Sequence, residues 1–186
     1  MSNVHLILGG IRSGKSAYAE RLVLASDLSV IYAATGQAFD AEMEERIRRH
    51  RQRRPLGWIT LEEPLDLAER LGEALDAGTG PHAVIVESVD TWVANMLLEH
   101  EKNPEQDLEK HALQATDRLL DVLGRSRAPA FLVSSEVGLA LVAVEPLGRK
   151  FQDTLGLVNQ RVAQAASRVT LVVAGLPMVI KGPAGE

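Results

Sequence analysis

Gly9-Gly10-Ile11-Arg12-Ser13-Gly14-Lys15-Ser16 meets every fixed position of the pattern G-x-x-x-x-G-K-[ST]. The residues before it, VHLIL at 4–8, are apolar apart from His5 and read as a strand. The residues after it, Ser16–Ala25, put Ala17, Ala19, Leu22 and Val23 on one helical face. Strand, glycine-rich loop and helix in that order is what phosphate binding requires. Glycines let backbone N–H groups curl round phosphate oxygens, and the helix N-terminus adds partial positive charge. Lys15 supplies a point charge between the β- and γ-phosphates, and the Ser16 hydroxyl suits Mg²⁺. The loop points to a nucleoside triphosphate and leaves its base and its acceptor open.

Outward from this loop, short β-like runs alternate with longer helical patterns. Strands are expected at Val4–Leu8, Ser29–Ala34, Trp58–Leu61, Ala83–Val86, Ala130–Val133 and Val169–Ala174, with Met178–Ile180 as a short extension. Helices are expected after Asp40 to about Arg53, from Pro64 at a first turn through Ala77, and over Thr91–Glu99, Pro104–Arg125 and Pro146–Ala166. Gly148 and Gly156 weaken the last of these. GTGP at 78–81 reads as a turn, and the polar stretch His100–Asp107 as a solvated loop. The alternation predicts an α/β chain: a single-domain P-loop NTPase, RecA-like, with a mostly parallel sheet flanked by helices. That domain is expected over 1–181, with 182–186 as a frayed tail.

Composition agrees with one folded unit. The chain has 186 residues, 46% hydrophobic and 24% charged, with no cysteine and a formal charge of −5. Absence of cysteine excludes disulfides, thiolate metal sites and a thiol nucleophile. The acidic balance argues against general nucleic-acid binding. The longest apolar stretch, Val169–Ile180, is broken by Thr170, Gly175 and Pro177 and falls short of the roughly 20 residues a spanning helix needs. The first ten residues carry no basic region of a signal peptide. A soluble, cytoplasmic protein is expected.

P-loop proteins place a carboxylate at the end of a neighbouring strand, to hold Mg²⁺ directly or through water. Glu87 follows Ala83–Val86 directly and is preferred; Asp90, one turn on, and Glu136, after the next strand, are alternatives. Each also reads as a mere cap of the following segment.

Residues 46–54 read Arg-Ile-Arg-Arg-His-Arg-Gln-Arg-Arg, six of the 20 basic side chains in nine positions. Three readings stay open: a solvated helix end paired with Glu42, Glu44 and Glu45, a polyphosphate or nucleic-acid patch, or a nucleophile at His50. Repulsion by neighbouring guanidinium groups holds an imidazole neutral, hence nucleophilic, and those groups suit a leaving pyrophosphate. Histidines 5, 82, 100 and 111 lack such surroundings and are assigned no role.

Taken together, these segments resemble the bifunctional adenosylcobinamide kinase/adenosylcobinamide-phosphate guanylyltransferase family of cobalamin biosynthesis. The resemblance rests on GGIRSGKS at 9–16, YAATG at 32–36, EMEERIRRHRQRRP at 42–55 and W-x-T-x-E-E-P at 58–64. It continues through VESVDTWVANML at 86–97, SSEVG at 134–138 and F-x-D-x-x-G-x-x-N-Q-x-x-A at 151–163. After SSEVG the family's usual second glycine and proline are missing from Leu139-Ala140-Leu141-Val142-Ala143. The resemblance implies catalytic roles for His50, as the guanylylated residue, and Lys15. It implies nucleotide binding by Gly9 to Ser16, by Ala34, Thr35 and Gly36, by Arg51, Gln52, Arg53 and Arg54, and by Glu62 and Glu87. Ser16 and Glu87 are the expected Mg²⁺ ligands. The implied reactions are phosphorylation of adenosylcobinamide by ATP or GTP, then GMP transfer from GTP to adenosylcobinamide phosphate, in a homotrimer without nucleic acid. Rival readings are another small-molecule P-loop kinase, or a RecA-like ATPase stimulated by nucleic acid.

Overall fold

The structure, a computed structural model, describes residues 3–38, 41–55, 57–78, 80–102 and 107–183. The side chains of Glu42, Met43, Arg46, His50 and Arg53 lie outside the described set. Along the chain run β1 (Val4–Gly9), α1 (Lys15–Leu24), β2 (Ser29–Ala34), α2 (Ala41–Arg53), β3 (Ile59–Glu62), α3 (Leu67–Ala77) and β4 (His82–Glu87). Then follow α4 (Val89–Lys102), α5 (Leu108–Ser126), β5 (Ala130–Ser135), α6 (Pro146–Ala165), β6 (Arg168–Val173) and β7 (Leu176–Lys181).

The strands form one seven-stranded sheet in the order β3-β2-β4-β5-β1-β6-β7. Every pairing is parallel except β6 with β7. This is the expected α/β architecture with a mostly parallel sheet. Parallel strands covered on both faces must be apolar on both, and the buried runs of β1 and β4 meet that demand. Alternation along β1 sends Val4, Leu6 and Leu8 into one core layer and Ile7 into the other. The larger layer gathers Leu67 and Leu71 of α3, Trp92 and Val93 of α4, Leu119 and Leu123 of α5, and Leu155 and Val158 of α6. The smaller layer holds Ala19 and Val23 of α1 against Ile7, Tyr32, Ile85 and Val133. Each of the larger aliphatic side chains contributes about 1.5–3 kcal/mol by leaving water.

Four segments depart from the sequence expectation. Helix α3 begins at Leu67 instead of Pro64, because Glu63 Oε1 accepts the amides of Leu65 and Asp66, both at 2.9 Å, and closes a turn first. The residues His100–Lys102, expected in a loop, complete α4. Helix α5 starts at Leu108, where Asp107 Oδ1 accepts the Lys110 amide at 3.1 Å; Pro104, the expected start, lies outside the described residues. The short extension at Met178–Ile180 is a full antiparallel strand, turned back by Ala174 and Gly175, both at positive φ. Two further expectations, the Asp40 cap and the end of the tail at 184–186, lie outside the described residues. Helix α6 runs unbroken through Gly148 and Gly156; a Cβ on Gly148 would come within 2.7 Å of the Ala143 Cβ, so close packing accounts for that glycine.

Candidate active site at the carboxyl edge of the sheet

All six parallel strands end on one edge, and the phosphate loop leaves β1 there. Ser13 N donates to Gly10 O at 3.2 Å, which tightens the loop, and Gly14, at φ 92, opens α1. A Cβ on Gly9 would collide with Ser13 Oγ and stand 2.8 Å from the Val172 carbonyl, so this position admits only hydrogen. Lys15 folds back across the loop, with Nζ donating to Gly10 O at 3.3 Å. The loop is braced from a place the sequence reading missed: Gly175 N, in the β6–β7 turn, donates to Ser13 O at 2.8 Å. The signal was present as a glycine between two apolar runs.

Two strands away, Glu87 ends β4. Ser16 Oγ donates to Glu87 Oε1 at 2.5 Å, so two residues singled out from separate motifs touch. Asp90, on the first turn of α4, accepts the Ser135 hydroxyl at 2.6 Å. Glu87 Oε2 and Asp90 Oδ1 are buried and accept no hydrogen bond from the described residues. Burial, opposed by the Ser16 hydroxyl and reinforced by Asp90, pushes the Glu87 carboxyl up to about 7. Two buried carboxylate oxygens without hydrogen-bond donors, beside the Ser16 hydroxyl, form an oxygen donor set that fits a hard divalent cation. Among the described residues no group of three or more His, Asp or Glu side chains converges as a metal cage. Glu136, the other alternative, accepts the Gly138 amide at 2.7 Å and caps its own turn.

Thr35 follows β2 and is fully buried. Its amide donates to Glu87 O at 3.1 Å, and its hydroxyl bridges the Ser88 backbone with two contacts of 2.8 Å. Gly36 lies beneath α2: a Cβ there would stand 3.6 Å from Ile47.

Helix α2 carries the arginine run over this edge. Arg48 and Arg49 both bond Glu45, at 2.7 and 2.8 Å, and hold that carboxyl down at about 2. These two fit the solvated reading. Arg51 pairs instead with Glu62 at the end of β3. Arg54 lies over the Tyr32 ring at 3.8 Å and donates to Thr60 Oγ1 at 3.4 Å, while Tyr32 stacks on Trp58. The C-terminal end of α2 is thereby tied to β2 and β3. His50 lies in α2, three residues after Ile47 and four before Arg54, and its side chain is outside the described residues, as is that of Arg53. Gln52 is exposed.

Comparison with known proteins gives a consistent result. A family model described as cobinamide kinase / cobinamide phosphate guanyltransferase matches residues 5–180. The chain is 46% identical over 178 residues to the bifunctional adenosylcobalamin biosynthesis protein CobP of Pseudomonas aeruginosa, covering 95% of this chain and 96% of that one. It is 39% identical over 183 residues to the bifunctional adenosylcobalamin biosynthesis protein CobU of Escherichia coli, and 38% to that of Salmonella typhimurium, covering 95% of this chain and 98% of each relative.

Proposed function

We propose, from the premise that the chain belongs to the cobinamide kinase / cobinamide phosphate guanyltransferase family, that it performs both reactions of that family. In the first, the aminopropanol hydroxyl of adenosylcobinamide attacks the γ-phosphorus of ATP or GTP and a nucleoside diphosphate leaves. Lys15 and the amides of the 9–16 loop meet the charge that spreads over the transferred phosphoryl oxygens. In the second, the His50 imidazole attacks the α-phosphorus of GTP, the bond to pyrophosphate breaks, and a guanylyl-histidine forms. The phosphate of adenosylcobinamide phosphate then attacks the same phosphorus, releasing the imidazole and giving adenosylcobinamide-GDP. A covalent intermediate divides one hard displacement into two easier ones. Arg51, Gln52, Arg53 and Arg54, with Ala34, Thr35, Gly36, Glu62 and Glu87, form the remaining nucleotide contacts in this reading.

Ser16 and Glu87 would hold Mg²⁺, which would supply charge that neutralises the triphosphate. The observation that carries the proposal is the contact between Ser16 and Glu87, set at the edge where Arg51 and Arg54 fasten α2 to β2 and β3.

We further assign the sheet to the RecA-like P-loop type, in one domain over 1–181 with 182–186 as its tail, working in the cytoplasm. None of the described helices is long and apolar enough to cross a membrane. A homotrimer is part of the reading, and the outward apolar side chains of β7, among them Leu176 and Ile180, favour self-association.

Incubation with α-labelled GTP tests the covalent step. The wild-type protein is expected to retain label as an acid-labile, base-stable phosphoramidate, because protonating the bonded imidazole makes it a good leaving group. His50→Ala is expected to keep its fold and lose both the label and the transferase activity. Full labelling of that variant would show that another residue is the nucleophile. Transfer of γ-label without any protein adduct in the wild type would leave a kinase alone.

A further inference from the structure

Residues 138–144, Gly-Leu-Ala-Leu-Val-Ala-Val, hold no polar side chain, yet they form a surface segment between β5 and α6. Leu139, Leu141, Val142 and Val144 are between 74% and 93% exposed. Hydrogen bonds from α6 hold the segment in this form. Gln152 donates from Nε2 to Leu141 O at 3.2 Å and accepts the Ala143 amide at Oε1 at 2.8 Å. Arg149 Nη1 donates to Ala143 O at 3.2 Å and also to Val144 O. At the other end the Gly138 amide is taken by Glu136, and the Ala140 amide donates to Val137 O at 3.3 Å. The backbone is thus fastened to the body of the protein while its aliphatic side chains face solvent. Covering such side chains is favourable in proportion to the area taken from water, so the segment gains by having an apolar surface laid on it.

Its place decides the occupant. Strand β5 lies between β4 and β1, so the segment rises from between the strand that ends in Glu87 and the strand that opens into the phosphate loop. The stem is tied to both sides: the Glu136 amide donates to Gly9 O at 3.2 Å, and the Ser135 hydroxyl donates to Asp90. The nucleotide contacts assigned above come from the phosphate loop, Glu87, β3, α2 and the end of β2; β5 and the segment after it supply none. What has still to reach this point is the acceptor of the γ-phosphoryl group. In the reading above that acceptor is a corrinoid, a broad macrocycle whose rim carries methyl groups and uncharged amide arms. A segment with aliphatic side chains, no charge and no hydroxyl suits that rim and offers the phosphoryl group no rival nucleophile. The apolar face of β7 lies three strands from β5 and is a separate surface. We propose that Leu139, Leu141, Val142 and Val144 form the platform on which the corrinoid acceptor rests during phosphoryl transfer. The proposal rests on the kinase reading above and adds to it an acceptor site.

The test measures initial rates of γ-label transfer to adenosylcobinamide in the wild type, Leu139→Ser/Leu141→Ser and Leu139→Met/Leu141→Met. Both leucines stand in solvent, so neither pair of changes disturbs the core, and thermal melting checks that both variants fold. The serine pair is expected to raise the KM for adenosylcobinamide about tenfold or more, because covering two leucines lends at least that much affinity. Its kcat at saturating acceptor, its GTP affinity and its guanylyl-histidine labelling are expected to match the wild type. The methionine pair, apolar and of similar volume, is expected to keep the wild-type KM. An unchanged KM in the serine pair, with wild-type transfer intact, overturns the platform alone. The platform fails equally if the only change is dissociation in sedimentation, because the segment then binds a second copy. It fails too if the only change is lost flotation with phosphatidylcholine vesicles, because the segment then meets a lipid surface. A wild type that transfers no γ-label to adenosylcobinamide overturns the kinase reading itself.

Discussion

His5 makes a quantitative prediction about the strand that carries the phosphate loop. Its ring is 7% exposed, with Nε2 2.8 Å from Thr170 Oγ1 and the rings of Tyr18 and Phe131 at 6.4 and 5.9 Å. Burial, and secondly the Arg168 charge, lower its pKa from 6.5 to about 4. In the unfolded chain the imidazole takes a proton near its ordinary value, while in the folded protein it stays neutral down to about 4. The unfolded state therefore binds more protons between those limits, and stability falls as the pH falls through them. Binding one extra proton in the unfolded state costs the fold about 1.4 kcal/mol for every pH unit crossed, so the full window removes up to about 3 kcal/mol, and nothing is lost above about 6.5. Urea unfolding of the wild type and His5→Gln at a series of pH values reads this directly. Glutamine keeps a partner for Thr170 and does not titrate. Glu87, whose raised pKa makes its own contribution to stability decline as the pH rises from about 4.5 to 7, is common to both proteins and cancels in the difference. The wild type is expected to lose stability relative to His5→Gln by about 1.4 kcal/mol per pH unit across the window. Parallel profiles would refute the reasoning, since they would mean the buried imidazole does not resist protonation.

Two further substitutions probe the edge of the sheet. Gly9→Ala brings a methyl group against Ser13 Oγ and the Val172 carbonyl; overpacking of this kind costs about 1–3 kcal/mol, and a melting temperature lowered by several degrees with loss of nucleotide binding is expected. Arg54→Ala removes the guanidinium from the Tyr32 face, a contact worth about 0.5–2 kcal/mol, and is expected to shift Trp58 emission through the Tyr32–Trp58 stack and to slow histidine labelling.

The fold was largely legible because its signals are local. Apolar runs of four to six residues separated by helical periods are readable one window at a time, and β2 runs over Ser29–Ala34 as expected. The departures fall at element ends and turns, where a single side chain or a positive-φ step decides. Pro64 looks like a helix start, yet its carbonyl serves Asn95, 31 residues on, and Glu63 forms a turn instead. The sequence suggests one strand and an extension for the β6–β7 hairpin because a single Ala174-Gly175 step carries the whole reversal. In the site, the loop and Glu87 were readable from motif and strand end, but their direct contact depends on β4 and β1 being drawn together across β5. The arginine run shows the opposite limit. Composition treats its members alike, whereas Arg48 and Arg49 are taken up by Glu45, and Arg51 and Arg54 by β3 and Tyr32.

The position of β1 sets a timetable for synthesis. It precedes the other described strands in the chain, yet its two neighbours are β5, at 130–135, and β6, at 168–173, and the brace on its loop is Gly175. A nascent chain that has passed the Gly-Lys-Ser motif by a hundred residues still has no partner for the strand beneath it. Any chain cut before Ala174 carries the motif without its support. Capture of C-terminal truncations on an immobilised nucleotide would therefore separate chains that include the β6–β7 turn from chains that stop short of it and display an intact motif that binds poorly.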